Sequence, residues 1–211
     1  MELTQRGSEF FNQLEKIIPN VLNRGNVTAY KKDIYEISKR YNIDSVYMGD
    51  TRIVFLNLDN NSGIISGEGV LKVDTFYDYF YPERHTKNRN IQSKLSGVKQ
   101  SFSANRNEII NYNYTKNKYN NIFAPVKNYD ENSGSWLIMP FIPGTPTKNQ
   151  LDYFKNRCKK NNLFLPDISI KNCGLQNNRV LCYDYSLPML DTKSMEPIVI
   201  NYNKEWERTH N

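Results

Sequence analysis

Apolar positions recur along this chain with two periods, and the changes from one to the other mark its elements. Phe10, Phe11, Leu14, Ile17, Ile18, Val21 and Leu22 follow helical spacing. Ser8 is placed to cap that helix, Pro19 to kink or stop it, and Gly25 to close it. Tyr30, Ile34, Ile37 and Tyr41 predict a second helix over 28–41. Its Lys31-Lys32 and Lys39-Arg40 pairs read either as a solvated face or as phosphate contacts. From Asp44 the pattern becomes strand-like. Ser45–Met48 and Ile53–Leu58 flank the turn Gly49-Asp50-Thr51-Arg52, and Val70–Val73 resumes as a third strand after the polar, Gly-bearing stretch 59–69.

The stretch 74–96 is rich in Tyr, Asn, Lys and Arg and reads as a loop or insertion. Residues 98–112 have helix character, with Phe102, Ile109 and Tyr112 roughly on one face. Ile122–Val126 and Trp136–Ile142 are apolar runs joined by a polar segment, which predicts a fourth and fifth strand as a hairpin. Thr147 caps a helix over 148–161 that carries Leu151, Phe154 and Cys158. Val180–Tyr183, after the turn Gln176-Asn177-Asn178, reads as a strand that delivers Asp184 at its end. The remaining residues run through prolines to a charged tail, 203–211. Hairpins segregated from helices in this order predict an α+β fold.

Composition narrows the class without naming a partner. At 211 residues, 38% hydrophobic and 24% charged, the chain can bury a substantial core, to which fifteen Tyr and ten Phe contribute much of the bulk. The formal charge of +6 suits a polyanionic partner or, more plainly, a solvated basic surface. Nucleic acid is the least expected partner, because the aromatics fall in strands and helices where the core needs them. Cys158, Cys173 and Cys182 have no paired or zinc-type spacing, so reduced thiols and a cytoplasmic setting are expected. No signal peptide is expected at Met1–Gly7, and no apolar run approaches the roughly 20 residues that span a bilayer, so no membrane association is expected.

The candidate chemistry lies in Leu163–Ser186. Asn172 stands five residues after Asp167, and Asp184 twelve residues after Asn172, with a tight turn between. Two oxygen ligands on either side of a hairpin can converge on a hard cation such as Mg²⁺. Asp167, just upstream, is placed to accept a proton from a hydroxyl or to orient it. The other reading is an ordinary hairpin with acidic and amide turn residues. Lys72 sits inside an apolar strand, where an ammonium needs an anionic partner or an exit to water; an edge lysine on a solvated sheet face is the plain alternative.

This order of residues resembles the protein-kinase-like fold, in the reduced form of small phage and archaeal kinase-like proteins. The family's Asp, four residues, Asn and hairpin ending in Asp-Phe-Gly are matched by Asp167-Ile-Ser-Ile-Lys-Asn172 and by Asp184-Tyr185-Ser186. Leu165-Pro166 stands where eukaryotic kinases have His-Arg, Tyr185-Ser186 replaces Phe-Gly, and no Ala-Pro-Glu follows. The resemblance implies an N-terminal helical extension (1–43), an N-lobe-like antiparallel sheet with one helix (44–142), and a reduced helical C-lobe (143–211).

It further implies ATP and Mg²⁺ as cofactors. Lys72 would contact the α/β-phosphates, with Glu108 pairing to hold it, and Asp167 would serve the acceptor hydroxyl. Asn172 and Asp184 would hold the metal. Gly49 and Arg52 would form the phosphate turn, although one glycine is a sparse version of it. Met139 and Phe141 would flank the adenine at the hinge. The function implied is phosphoryl transfer from Mg-ATP to a hydroxyl. The competing function is a catalytically silent pseudokinase module, such as a phage virion component, with the N-terminal helices as a protein-docking element. The setting is then the host cytoplasm or the particle.

Overall fold

The computed structural model describes residues 1–18, 27–49, 51–75, 82–101, 103–119 and 122–210, with the backbone alone at 27–29. Pro19, Val21, Leu22, Gly25, Asp50 and Phe102 lie outside the described residues. Among those described, seven helices and a five-stranded antiparallel sheet make an α+β fold. The chain forms two compact units. One comprises Met1–Tyr77 with Val126–Phe141, and the other Asp78–Pro125 with Ile142–Asn211.

In the first unit, helix α1 (Gln5–Glu15) is capped by Thr4, whose hydroxyl accepts from Gly7 N at 3.0 Å. The cap therefore lies four residues before Ser8, which sits inside the helix. Helix α2 spans Val27–Arg40. Strands β1 (Val46–Met48), β2 (Arg52–Leu58), β3 (Gly69–Asp74), β4 (Asn128–Tyr129) and β5 (Trp136–Met139) form one sheet in the order β1-β2-β3-β5-β4. Pleating sends alternate side chains of each strand to opposite faces. Ile53, Phe55, Leu71, Val73 and Ile138 face Phe10, Leu14 and Ile34 in one apolar cluster. The Phe10 and Phe55 rings meet edge to face at 5.0 Å. The described apolar residues of α1 and α2 thus share one core with the sheet, whereas the sequence division placed 1–43 in a helical extension of its own.

The second unit combines helices with short strands. It holds α3 (Pro82–His85), α4 (Arg89–Ser96), α5 (Ala104–Thr115), α6 (Lys148–Lys160) and α7 (Tyr202–His210). Strands β6 (Leu163–Phe164), β9 (Leu190–Asp191) and β10 (Glu196–Pro197) form a small antiparallel sheet. Strands β7 (Cys173–Gln176) and β8 (Arg179–Cys182) form a hairpin. Its two-residue turn has Asn177 and Asn178 at φ 49° and 59°. Two successive left-handed residues are what a tight hairpin needs, and asparagine tolerates them best after glycine.

Several boundaries differ from the sequence expectation. The loop-like 74–96 contains α3 and α4, the second capped by Asn88. Helix α5 starts at Ala104 rather than Val98, because Ser103 caps it through Arg106 N. The apolar run 122–126 is not the fourth strand; that strand is β4, at Asn128–Tyr129. Instead, Ala124 N donates to Cys182 O and Cys182 N to Ile122 O, both at 2.8 Å. The charged tail is helical, as α7, with Tyr202 and Trp206 buried. Residues 78–125, which include Glu108, fall in the unit that carries the Asp184 hairpin, not in the sheet unit.

Candidate functional site

The three polar residues of the Asp167–Asp184 frame meet in the second unit. Strand β6 leads through Leu165-Pro166 to Asp167, and a turn closed by Asn172 N to Ser169 O (3.2 Å) brings Asn172 back beside it. The Asn172 side-chain amide donates to Asp167 O at 3.1 Å and to Asp167 Oδ2 at 2.6 Å. Across the hairpin, Tyr183 N and Asp184 N both reach the Asn172 carbonyl, at 2.9 and 3.4 Å. The hairpin thus fixes the backbone of Asp184 against that of Asn172, and Asn172 fixes Asp167. Asp167 is exposed, while Asn172 and Asp184 are half-buried.

The base of the hairpin is apolar and held on several sides. Cys173 and Cys182 are opposite each other in register. Because Cys182 turns its own N–H and C=O to the 122–124 segment, this is a non-hydrogen-bonded pair, in which side chains come closest. Its hydrogen bond with Cys173, and then burial, hold the Cys182 thiol well above its usual range. Burial pushes Cys158 up to about 12. These thiols are protonated at neutral pH and serve as small apolar packing groups. The Cys182 Sγ–H points at Asp184 O, 3.2 Å away. Beyond Asp184, Tyr185 OH donates to Ala124 O at 2.7 Å and its ring packs against Phe123, while Ser186 Oγ lies 3.4 Å from Asp184 Oδ1.

Helix α5 is bound to the same segment by residues that the sequence reading passed over. Asn111 Nδ2 donates to Tyr185 O (2.7 Å) and Leu187 O (3.1 Å), and Asn111 Oδ1 accepts from Tyr202 OH (2.6 Å). Asn111 and Tyr202 are both fully buried, and burial raises the Tyr202 phenol far above its ordinary value. Glu108, one turn earlier on α5, is fully buried as well. The signal was present as Glu108, Asn111 and Thr115, polar residues at three- and four-residue steps on one buried face.

The remaining candidates lie in the sheet unit. Lys72 is on β3, between β2 and β5, opposite Val54 and Leu137, and only 3% exposed. That central position removes the edge-strand alternative. Pleating puts Lys72 on the sheet face turned away from α1 and α2, together with the register partners Arg52 and Asp74, which are buried too. Gly49 N donates to Arg52 O at 2.8 Å and closes the β1–β2 turn. Met139 ends β5, buried beside Val70, and half-buried Phe141 is the last residue of this unit before the chain passes into the other.

Asn172 has its side-chain nitrogen committed to Asp167, so its amide oxygen is the atom left to ligate a cation. With Asp184 this makes one amide oxygen and one carboxylate. Among the described residues no three His, Cys, Asp or Glu side chains gather around a metal-sized point. An amide oxygen and a carboxylate are donor types that Mg²⁺ accepts, with phosphate and water completing its shell. No protein-family model matches the chain, and no curated protein matches it.

Proposed function

We propose that this chain is a kinase-like protein that binds Mg-nucleotide and transfers a phosphoryl group to a hydroxyl acceptor. The observation that carries the reading is the hydrogen-bonded Asp167–Asn172–Asp184 frame at the end of a two-residue hairpin. It is supported by a buried lysine on the third strand of an antiparallel sheet, and by a change of unit just after Met139–Phe141. In this reading Asn172 Oδ1 and the Asp184 carboxylate hold Mg²⁺, which supplies charge neutralisation at the phosphoryl oxygens. Asp167 keeps an exposed carboxylate, steadied by Asn172, to orient the acceptor hydroxyl. In the sheet unit this reading assigns the α/β-phosphates to Lys72 and the base to backbone groups of Met139 and Phe141.

A second reading keeps the fold and drops the reaction. Gly49, the one glycine of the proposed phosphate turn, already donates its N–H to Arg52 O, and Arg52 is 4% exposed. A turn closed on itself in this way favours a silent module that recognises other proteins.

Thermal unfolding with and without Mg-ATP, together with ADP release, separates the readings. Saturation at a hundred times the dissociation constant adds about 2.7 kcal/mol. The enzyme reading expects that shift, and turnover that Asp184→Ala abolishes without lowering the ligand-free melting temperature. A shift without turnover selects the silent module. No shift at millimolar nucleotide removes the enzyme reading and favours the structural module.

A further inference from the structure

Helix α6 and the tip of the β7–β8 hairpin enclose a cleft of about 380 Å³. We propose that it is a docking site for an extended acidic peptide segment with one apolar anchor residue, separate from the Asp167–Asp184 frame.

The shape comes from the helix. Asn149, Gln150, Tyr153, Phe154 and Arg157 share one face of α6 and line the cleft. Eight residues of rise between the first and the last make a trough about 12 Å long. That length takes about three or four residues of extended chain. Asn178, Arg179 and Val180 form the opposite wall.

The chemistry is graded. Phe154 and Val180 are buried and give an apolar floor. Arg157 is built in: its Nη2 donates to Val180 O at 2.7 Å and its guanidinium lies 5.1 Å from the Phe154 ring centre. Arg179 and the Tyr153 ring stand exposed on the rim, Tyr153 at 72%. The amide side chains of Asn149 and Asn178 both donate and accept, as the backbone of a peptide requires, while Gln150 Oε1 is committed to Thr147.

The field is positive. Helix α6 carries five basic residues and one acid, Asp152, which pairs with Lys155 at 3.6 Å. The helix N-terminus does not supply this field, because Thr147 and Gln150 already cap each other there. Charge complementarity therefore asks for carboxylates flanking the anchor. A single-stranded nucleic acid would ask for exposed aromatic faces in series along a basic track; of the two rings that line this cleft, Phe154 is buried and Tyr153 alone is exposed.

The test uses the full chain and fluorescence polarisation of a labelled peptide of glutamates around a central leucine. A lysine counterpart and a labelled oligothymidylate are the comparison probes. The glutamate peptide is expected to bind. Arg179→Glu and Tyr153→Ala, both at exposed positions, are each expected to weaken it about tenfold or more with the melting temperature unchanged. Lys32→Glu, the same charge reversal on an exposed lysine of α2, is expected to change it less than about twofold. An equal loss in Lys32→Glu would mean diffuse charge attraction and overturn the proposal. Absence of glutamate-peptide binding, or tighter binding of the oligothymidylate, would overturn it as well.

Discussion

The side-chain amide of Asn172 donates to Asp167 Oδ2 at 2.6 Å while the Asn172 carbonyl accepts from the backbone of Tyr183 and Asp184. One residue therefore sets both the rotamer of an exposed acid and the backbone of a half-buried one. Asn172→Ala keeps the backbone bonds and loses the two side-chain bonds. The expected cost in stability is about 1 kcal/mol, since Asp167 is open to water. A larger effect is expected on ligation: Mg²⁺ titrated calorimetrically against the protein with saturating nucleotide should bind about tenfold or more weakly. Unchanged Mg²⁺ affinity would remove Asn172 from the metal assignment.

Asn111 is expected to be among the most sensitive positions for stability. Its side chain satisfies one buried carbonyl, one part-buried carbonyl and one buried phenol, joining α5, α7 and the segment beyond Asp184. Asn111→Ala leaves all three partners without a replacement, so a loss of about 3 kcal/mol is expected. Tyr202→Phe removes one of these bonds and should cost about 1 kcal/mol. Urea unfolding gives both values; equal, small effects would show that water enters and replaces the network.

Two glycines predict opposite signs. A Cβ on Gly144 would stand 2.5 Å from Leu175 O and 2.8 Å from Leu175 Cβ, in a bridge where Leu175 N donates to Gly144 O. Gly144→Ala must push the hairpin away, at a cost of about 2 kcal/mol or more. Gly97 ends α4 at φ −77°, with nothing nearer than 3.6 Å to the added carbon. Gly97→Ala should be neutral or stabilise by about 0.4–1 kcal/mol through the unfolded chain. Unfolding midpoints of the pair check both signs.

The Asp191 carboxylate should make stability fall at acid pH. Its hydrogen bond from Lys118 (2.6 Å), with the Lys193 and Ser194 amides, holds its pKa near about 2, below the ordinary carboxylate range. A depressed folded-state value contributes stability that is present above the unfolded value and lost as pH falls through the folded one. The contribution is thus complete above about pH 4 and gone below about pH 2. Lys118 is largely exposed, so the pair is worth at most about 1 kcal/mol. Lys118→Met should lower stability at neutral pH by that amount and converge with the parent protein at the acid end. A gap that persists below pH 2 would assign the effect to packing.

The legible parts of the fold were those set by local pattern. Alternation located β2, β3 and β5, and helical spacing with a Thr147 cap located α6 almost to its bounds. The Asn177-Asn178 turn was readable from its asparagines, although Gln176 belongs to β7 and β8 ends at Cys182, which leaves Asp184 two residues past the strand rather than directly at its end. Other elements were hidden for stated reasons. Helix α4 was masked by Asn, Lys and Arg around only Ile91 and Leu95, and it forms because Asn88 caps it and those two residues find Leu190. Residues 122–126 have strand composition, but their ladder partner is a single cysteine on β8.

What the residue order determined by itself was the succession of helices and hairpins, and an Asp, Asn and Asp at spacings that a hairpin can bring together. Which groups became neighbours was decided in three dimensions. Lys72 became a central-strand residue because β5, more than sixty residues later, pairs beside it. Asn111 became a buried junction because Tyr185, Leu187 and Tyr202 meet it from distant parts of the chain. Local pattern reports only the free energy of a residue's own turn or strand. The desolvation of a buried amide or ammonium is offset by partners whose arrival depends on the whole chain closing, and no local spacing encodes them.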